Sequence, residues 1–117
     1  MYSDSLLELF ESRAHAGSLP DATHRGEAGA PGQGPYVQLW LRVEDGVIRK
    51  ARFKTYGCPA AIACAEAACG WSEGKALAEL ARVSADEIAA SVAGVPEGKE
   101  HCPELAATAL HSVAGRP

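Results

Sequence analysis

Cysteine and histidine are the side chains of this chain best suited to bind a soft metal or to act as nucleophiles. The stretch EHCPEL, residues 100–105, places His101 directly before Cys102, which precedes a proline and an apolar run. The stretch GCPAAIAC, residues 57–64, likewise places Cys58 before a proline and an Ala-rich run. Each pattern predicts a helix that is capped by the cysteine and begins at the proline.

This placement predicts reactive thiols. A helix N-terminus offers unpaired N–H groups and about half a positive charge, which favour thiolate over thiol. We therefore expect a lowered pKa for both Cys58 and Cys102. His101 would add an imidazole, a good ligand for zinc or iron. The plainer alternative is that each cysteine is a small buried residue at a helix start. The repeated pattern and the adjacent histidine favour a shared thiolate and imidazole site.

The other cysteines and histidines give weaker signals. Cys64 and Cys69 lie on one predicted helix at a spacing that does not place them on a shared face. Cys64 would join the site only if the start of that helix curled toward it, and Cys69 is expected to be a packing residue. The remaining histidines are expected at the surface: His15, His24 and His111. The acidic residues are expected to form a solvated surface.

Length and composition restrict the class of protein. The 117 residues, 47% hydrophobic and 22% charged, predict one globular domain over residues 1–117. A net charge of -4 argues against a nucleic-acid partner. No apolar run approaches the ~20 residues that span a bilayer, so no membrane partner is expected. The N-terminus lacks the features of a signal peptide. We therefore expect a cytoplasmic protein whose cysteines serve as thiols or metal ligands rather than disulfides.

The elements that position these residues follow from the sequence pattern. Residues 2–13 predict a short helix that Ser3 or Ser5 would cap. Residues 17–35 are rich in glycine and proline and predict a long loop without a regular element. The alternation over residues 37–43 predicts a half-buried strand.

A hairpin and several helices are predicted next. Asp45-Gly46 predicts a tight turn into a second strand, and the phase of Ile48 predicts a β-bulge near Arg49. The predicted helices are 59–71, ended by Gly70 or Gly74, then 75–83, one with a capping box at Ser84-x-x-Glu87, and one opened by Pro103. This order predicts an α+β domain with a small antiparallel sheet.

On these residues, the chain resembles the iron–sulfur cluster assembly scaffold family, of the IscU and SufU type that also forms the N-terminal domain of NifU. The most recognisable segment is LWLRVEDGVIRKARFKTYGCPAAIA. The resemblance extends nearly end to end, from MYSDSLLELFES through GSLPDATHRGEAGAPGQG to VSADEIAASVAGVPEGKEHCPELAATAL. It implies a compact α+β fold with three antiparallel strands and helices packed on one face. It also implies a scaffold, not an enzyme, that assembles a [2Fe–2S] cluster from iron and from sulfur supplied by a cysteine desulfurase, for acceptor apo-proteins.

The resemblance also assigns site residues. The family site has three cysteines, an aspartate and a histidine, and zinc often occupies it when no cluster is present. Cys58 matches the middle cysteine, Cys102 the last cysteine and His101 the histidine. Gln33 stands in place of the first cysteine and Pro35 in place of the aspartate. The amide of Gln33 is uncharged and binds soft iron weakly.

These replacements leave several alternatives open. A [2Fe–2S] cluster takes four strong ligands, and the fourth would be Cys64, Gln33, water, a small thiol or a partner's cysteine. Two cysteines and a histidine also suit zinc. The family's chaperone-recognition stretch, LPPVK, reads VPEGK at residues 95–99, which weakens the expectation of chaperone binding. The alternatives to a scaffold are a paralogue with zinc or no metal that binds or regulates a partner, and a persulfide carrier.

Overall fold

The computed structural model describes residues 2–30, 32 and 34–114. In chain order the elements within them are α1 (Asp4–Ser12), β1 (His24–Ala28), β2 (Tyr36–Glu44), β3 (Val47–Tyr56), α2 (Pro59–Ser72), a 3₁₀ helix (Leu77–Arg82), α3 (Ala85–Ser91) and α4 (His101–Ala114). The strands form one antiparallel sheet in the order β1-β2-β3. The predicted α+β class and the three-stranded antiparallel sheet are confirmed.

The β2–β3 hairpin forms as predicted. Asp45 and Gly46 both have positive φ, 53° and 75°, which matches a turn suited to the right-handed twist of paired strands. In β3, Arg49 has no paired residue in β2, because Arg42 pairs with Lys50 and Val43 with Ile48. A β-bulge is therefore present where it was predicted. Because of this extra residue, Ile48 points into the core, where it is fully buried.

The predicted loop over residues 17–35 was wrong in part, because β1 lies within it. This strand pairs with β2 along its length. Gly26 faces α4 so closely that a Cβ there would lie 2.3 Å from Cγ2 of Val113 and 2.4 Å from the carbonyl oxygen of Ala109. The glycine that suggested a loop is therefore required for contact with a helix, and this contact depends on residues far along the chain.

The helices pack on one face of the sheet, as predicted. α2 packs on β3, and α4 packs on β1 and β2. The buried residues of this inner face include Ala28, Val37, Leu39, Leu41, Ile48, Ala51 and Phe53. α2 is also surrounded by α1, α3 and α4. Its small, mostly alanine side chains are buried on nearly every side, which is typical of a central helix.

Some helix boundaries match the predicted ones and others differ. α1 is capped by Ser3, whose hydroxyl accepts a hydrogen bond from the N–H of Leu6 at 3.0 Å. Gly74, at φ 89°, follows the end of α2, and the capping box of Ser84 and Glu87 is present in α3. The helix predicted over residues 75–83 is a shorter 3₁₀ helix. The last helix begins earlier than its proline, at His101.

Candidate functional site

The N-terminal ends of α2 and α4 bring Cys58 and Cys102 together. Their Sγ atoms lie 3.9 Å apart, although 44 residues separate them in sequence. Nε2 of His101 lies 3.6 Å from Sγ of Cys102. We call Cys58 and Cys102 the thiol pair. The three residues that the Cys-Pro patterns predicted to share a site are thus neighbours in space.

Cys58 is the residue that caps α2, as predicted, and its thiol is half-buried. Burial raises the pKa of this thiol. The backbone N–H groups of Ala61 and Ala60, the Cys102 thiol and the positive charge of Lys99 outweigh burial, so the pKa lies below its usual value. The N–H groups act without a conventional capping hydrogen bond to sulfur. The predicted low pKa of Cys58 agrees with the structure.

The corresponding prediction for Cys102 was wrong. α4 begins at His101, so Cys102 is the second residue of the helix and its own N–H donates to the carbonyl oxygen of Lys99 at 3.0 Å. Its side chain is only 1% exposed. Burial, together with the neighbouring Cys58, raises the pKa of the Cys102 thiol to about 12. The thiol pair therefore combines a readily ionised thiol with one that resists ionisation.

Cys64, which was considered as a fourth ligand, is not placed ready to bind. Cys64 is fully buried, and its pKa is raised to about 12 by burial and then by the charges of Cys102 and Cys58. Cys69 is buried and has a pKa well above its usual value, chiefly because of burial, in keeping with its predicted packing role. Gln33 and its neighbour Pro31 lie outside the described residues.

Tyr2 and Lys99 also lie beside the thiol pair, and sequence reasoning missed both. The phenol of Tyr2 lies beside Cys58, and burial, followed by the negative charge of the Cys58 thiolate, raises the pKa of this phenol. Lys99 favours the anionic forms of Tyr2, Cys58 and Cys102. The position of Lys99 close to His101 was a usable signal for a cation near the site. Nothing local in the sequence indicated that Tyr2 would reach it.

His15 was predicted to lie at the surface, and this prediction was wrong. Its ring Nδ1 is hydrogen bonded to Glu66, and its Nε2 lies 2.8 Å from Oε1 of Glu73. Glu66 is only 3% exposed. We call these three residues the His15 cluster. Burial opposes the charged imidazole, but the hydrogen bonds to Glu66 and Glu73 outweigh it and raise the pKa of His15.

The remaining histidines are also bonded within the fold. Nδ1 of His24 lies 2.8 Å from the hydroxyl of Thr23. Nε2 of His111 lies 2.6 Å from the carbonyl oxygen of Val83. His24, predicted at the surface, is partly buried. The exposed ring of His111 is at the surface as predicted.

The arrangement suits binding of a soft metal by an incomplete set of donors. Thiolate and imidazole are the ligands that iron–sulfur clusters and zinc prefer. Among residues 2–30, 32 and 34–114, no group of three Cys, His, Asp or Glu side chains is already arranged around one point. The thiol pair and His101 therefore offer part of a coordination shell.

None of the helices in the described part of the chain has the length and apolarity to cross a bilayer.

Comparison with known sequences gives a consistent result. Residues 1–115 match the family described as NifU-like N terminal domain. The chain is 36% identical over 110 residues to iron-sulfur cluster assembly scaffold protein IscU 1 of Archaeoglobus fulgidus, covering 94% of this chain and 72% of that protein. It is 38% identical over 114 residues to IscU of Azotobacter vinelandii, covering 93% and 88%. It is 35% identical over 113 residues to IscU of Escherichia coli K12, covering 93% and 88%.

Solved structures share the fold. FiSufU of Fervidobacterium islandicum AW-1 superposes with a TM-score of 0.74 at 15% identity, covering 97% of this chain and 96% of that one. The N-terminal part of a NifU-like protein of Brucella abortus superposes with a TM-score of 0.70 at 17% identity, covering 95% and 90%. At these identities the likeness concerns the fold alone.

Proposed function

The chain belongs to the NifU-like N-terminal domain family, and on that premise we propose that it is a scaffold on which an iron–sulfur cluster is assembled. Iron and sulfide would be its cargo, held by Cys58, Cys102 and His101. Sulfur would come from a cysteine desulfurase, and the finished cluster would pass to acceptor apo-proteins. The relatives named as IscU scaffolds support this role. The chain would hold and release its cargo without acting as an enzyme.

The separation of the thiol pair is the observation that carries the proposal. Two thiolates that bind one tetrahedral metal ion at about 2.3 Å lie about 3.8 Å apart. The Sγ atoms of Cys58 and Cys102 are 3.9 Å apart. The protein therefore holds its sulfur atoms at the spacing of a chelate before a metal arrives, so little reorganisation would be needed on binding.

The two thiols would take different parts in loading. Cys58 ionises readily because N–H groups at the start of α2 attract its charge, so we expect it to bind iron or sulfur first. Cys102, whose pKa is about 12, would lose its proton only as the metal binds, because a bound cation stabilises the thiolate. The exposed imidazole of His101 would supply the third donor.

The fourth ligand of the cluster would not be one of the cysteines that the structure describes. Cys64 is buried and resists ionisation, since its pKa is about 12, which makes it a poor fourth ligand. Gln33, water, a small thiol or a partner's cysteine would complete the shell. A cluster with one exchangeable ligand is held less tightly than one with four thiolates from the protein. Such a cluster suits a protein that must give it away.

Anaerobic reconstitution tests the proposal. The purified protein, freed of metal and with its thiols reduced beforehand, is incubated anaerobically with ferric iron and sulfide, and bound iron and sulfide are quantified together with the visible spectrum. We expect a [2Fe–2S] spectrum that Cys58→Ser and Cys102→Ser abolish. Cys69→Ala is the matched control, because Cys69 is buried away from the thiol pair, and it should retain the cluster.

Other outcomes would separate the alternatives. A protein that holds tight zinc but no cluster would favour the paralogue that binds zinc over the scaffold. A protein that binds neither metal, yet gains a sulfur atom on Cys58 after incubation with desulfurase and cysteine, would favour the persulfide carrier. Absence of cluster, metal and persulfide would refute the proposal as a whole.

A further inference from the structure

The sheet face opposite the helices carries an unusual set of side chains, and we call it the outer face. Its residues follow from the register, because residues directly opposite each other in an antiparallel sheet point to the same side. The outer-face residues are Arg25, Glu27, Tyr36, Gln38, Trp40, Arg42, Glu44, Val47, Lys50, Arg52, Lys54 and Tyr56. On β2 and β3 these positions are half-buried or exposed, in alternation with the buried core positions.

Positive charge is concentrated on this face. Its cations are Arg25, Arg42, Lys50, Arg52 and Lys54, and its carboxylates are Glu27 and Glu44. Arg42 forms ion pairs with Glu44 and Asp21, and Nη1 of Arg52 lies 3.8 Å from Oε2 of Glu73. The whole chain has 11 Lys and Arg against 15 Asp and Glu, so the rest of the surface is strongly acidic. The cations of this face still outnumber its own carboxylates, and this excess would attract a negatively charged protein surface.

The aromatic residues of the outer face are arranged among these cations. Nζ of Lys54 lies 5.8 Å from the ring centroid of Trp40. The rings of Tyr36 and Tyr56 stack with centroids 6.4 Å apart and planes 11° apart. A depression of about 240 Å³ lies beside Trp40, between β1 and β2. Aromatic and basic side chains together are typical of protein interfaces.

The same features decide between a protein and a nucleic acid as the occupant. Bases bind sheet surfaces by stacking on free aromatic faces, but Nζ of Lys54 lies over one face of the Trp40 ring and the two tyrosines stack on each other. The negative charge of the rest of the chain would also repel a polyphosphate backbone. A protein surface with clustered Asp and Glu needs only local complementarity, which the outer face supplies.

We propose that the outer face is the docking surface for an acidic protein partner. This inference rests on the proposed scaffold function, which makes the partner an apo-protein that receives the cluster. Tyr56 ends β3, and Cys58 caps α2 only two residues later. A partner bound over the outer face therefore reaches the thiol pair at the tyrosine end of the sheet. Docking there would bring the partner's own ligands to the cargo.

The two tryptophans provide a matched pair of sites for the test. Trp71 also has a lysine over its ring, with Nζ of Lys75 at 5.2 Å from the centroid. That site lies at the end of α2, where Glu79 and Glu87 line the same depression. Lys54→Glu and Lys75→Glu therefore make the same change in similar local contacts, but only the first lies on the outer face.

The experiment uses the metal-free protein and the apo form of an acidic ferredoxin as the probe. The ¹⁵N-labelled chain is titrated with the probe, and the two indole N–H signals are followed. We expect the Trp40 signal to shift and the Trp71 signal to remain in place. Lys54→Glu should weaken binding about fivefold, as expected for loss of an exposed ion pair, and Lys75→Glu less than about twofold. Added salt should weaken binding of the unchanged protein.

Equal effects of the two substitutions, or shifts at Trp71 instead of Trp40, would overturn the docking surface. The docking surface for an acidic protein would also be overturned if a single-stranded oligonucleotide bound the outer face more tightly than the ferredoxin does. The occupant would then be a nucleic acid. Cluster loading is measured separately on both variants. If no cluster forms but Lys54→Glu still weakens binding, the scaffold function fails and the docking surface remains. If the cluster forms and Lys54→Glu has no effect on binding, only the docking surface fails.

Discussion

Two polar clusters in this molecule join distant parts of the chain, and they differ in how completely their donors and acceptors are used. In the His15 cluster both ring nitrogens are hydrogen bonded to carboxylates. The remaining oxygens accept further bonds, Oε1 of Glu66 from the N–H of His15 at 2.9 Å and Oε2 of Glu73 from the N–H of Ala51 at 3.0 Å. Every strong hydrogen-bonding atom of this cluster therefore has a partner inside the protein.

The thiol pair is the opposite case. Sulfur is a weak hydrogen-bonding atom, and Cys58 and Cys102 contact mainly each other, the ring of His101 and Tyr2. Their lone pairs remain available to a metal. The contrast teaches that a cluster of titratable residues indicates an external ligand only when its donors are not consumed by the fold. By this criterion the His15 cluster is structural, and the thiol pair is the site.

Removing the carboxylate of Glu66 gives the largest expected effect on this comparison. Glu66→Ala would leave the N–H of His15 and one nitrogen of its ring without their partners in a nearly buried place. Breaking a buried charged pair on one side costs about 3 kcal/mol. We expect the free energy of unfolding, measured in urea by circular dichroism, to fall by about that amount.

Cys58→Ser is the matched change in the open site. Since the thiol of Cys58 is only half-buried and serine is similar in size, the free energy of unfolding of the metal-free protein should change by less than about 0.5 kcal/mol, while cluster binding is lost. If Cys58→Ser proves as destabilising as Glu66→Ala, the thiol pair is structural and the distinction between the two clusters is wrong.

Gly26 provides an uncharged contact that, like the His15 cluster, leaves no room for an external group. Gly26→Ala would place a methyl group 2.3 Å from Cγ2 of Val113, so α4 must move away from β1. Overpacking of this kind costs roughly 2 kcal/mol, measured as above. Gly70→Ala is the control, since nothing lies within 4 Å of a Cβ there, and in α2 it should stabilise by up to about 1 kcal/mol. Destabilisation by both would show that the effect is not specific to the α4 contact.

The features that sequence predicted correctly are those set by close neighbours. Asp45-Gly46 and the alternation around it specify the hairpin without information from elsewhere. Cys58 was correctly predicted as a cap because Pro59 begins a helix whose entry lies at the end of a strand. β1 was missed because its stability comes from pairing with β2 and from contact with α4 at Gly26, which no local pattern records.

The errors at the site have similar causes. Pro103 was taken to mark the first helical residue, but proline fits throughout the first turn, where N–H groups have no helical partner. The helix could therefore begin at His101, and Cys102 became buried. His15 was missed because its partners Glu66 and Glu73 lie 51 and 58 residues away. Burial and long-range pairing, not local sequence, set the direction in which the pKa values of these residues are shifted.

The thiols themselves provide a third comparison. With metal removed by a chelator, iodoacetamide at pH 7 should label Cys58 at least about tenfold faster than Cys102, because only a thiolate reacts. Cys64 and Cys69 should react only after unfolding, since both are fully buried. Mass spectrometry of digested peptides at successive times gives the order. Equal labelling of Cys58 and Cys102 would contradict the different environments of the thiol pair.

The smallest expected effect is the pH dependence of the His15 cluster. The pKa of His15 is higher in the folded protein than its ordinary value of 6.5, so the folded state binds the proton more tightly than the unfolded state. Its contribution to stability is therefore complete below about pH 6.5 and is lost as pH rises through the folded pKa. His15→Gln should lack this contribution.

The measurement is the difference in unfolding free energy between the unchanged protein and His15→Gln at a series of pH values. Taking the difference removes the opposite trend that Cys58 contributes, because its pKa is lowered on folding. We expect the difference to shrink by no more than about 1 kcal/mol as pH rises, since the ring is partly open to solvent. A difference that grows with pH would mean that the His15 cluster favours the neutral ring. The hydrogen bonds of the His15 cluster would then not require a charged imidazole. The cluster would differ from the thiol pair only in how tightly it is packed.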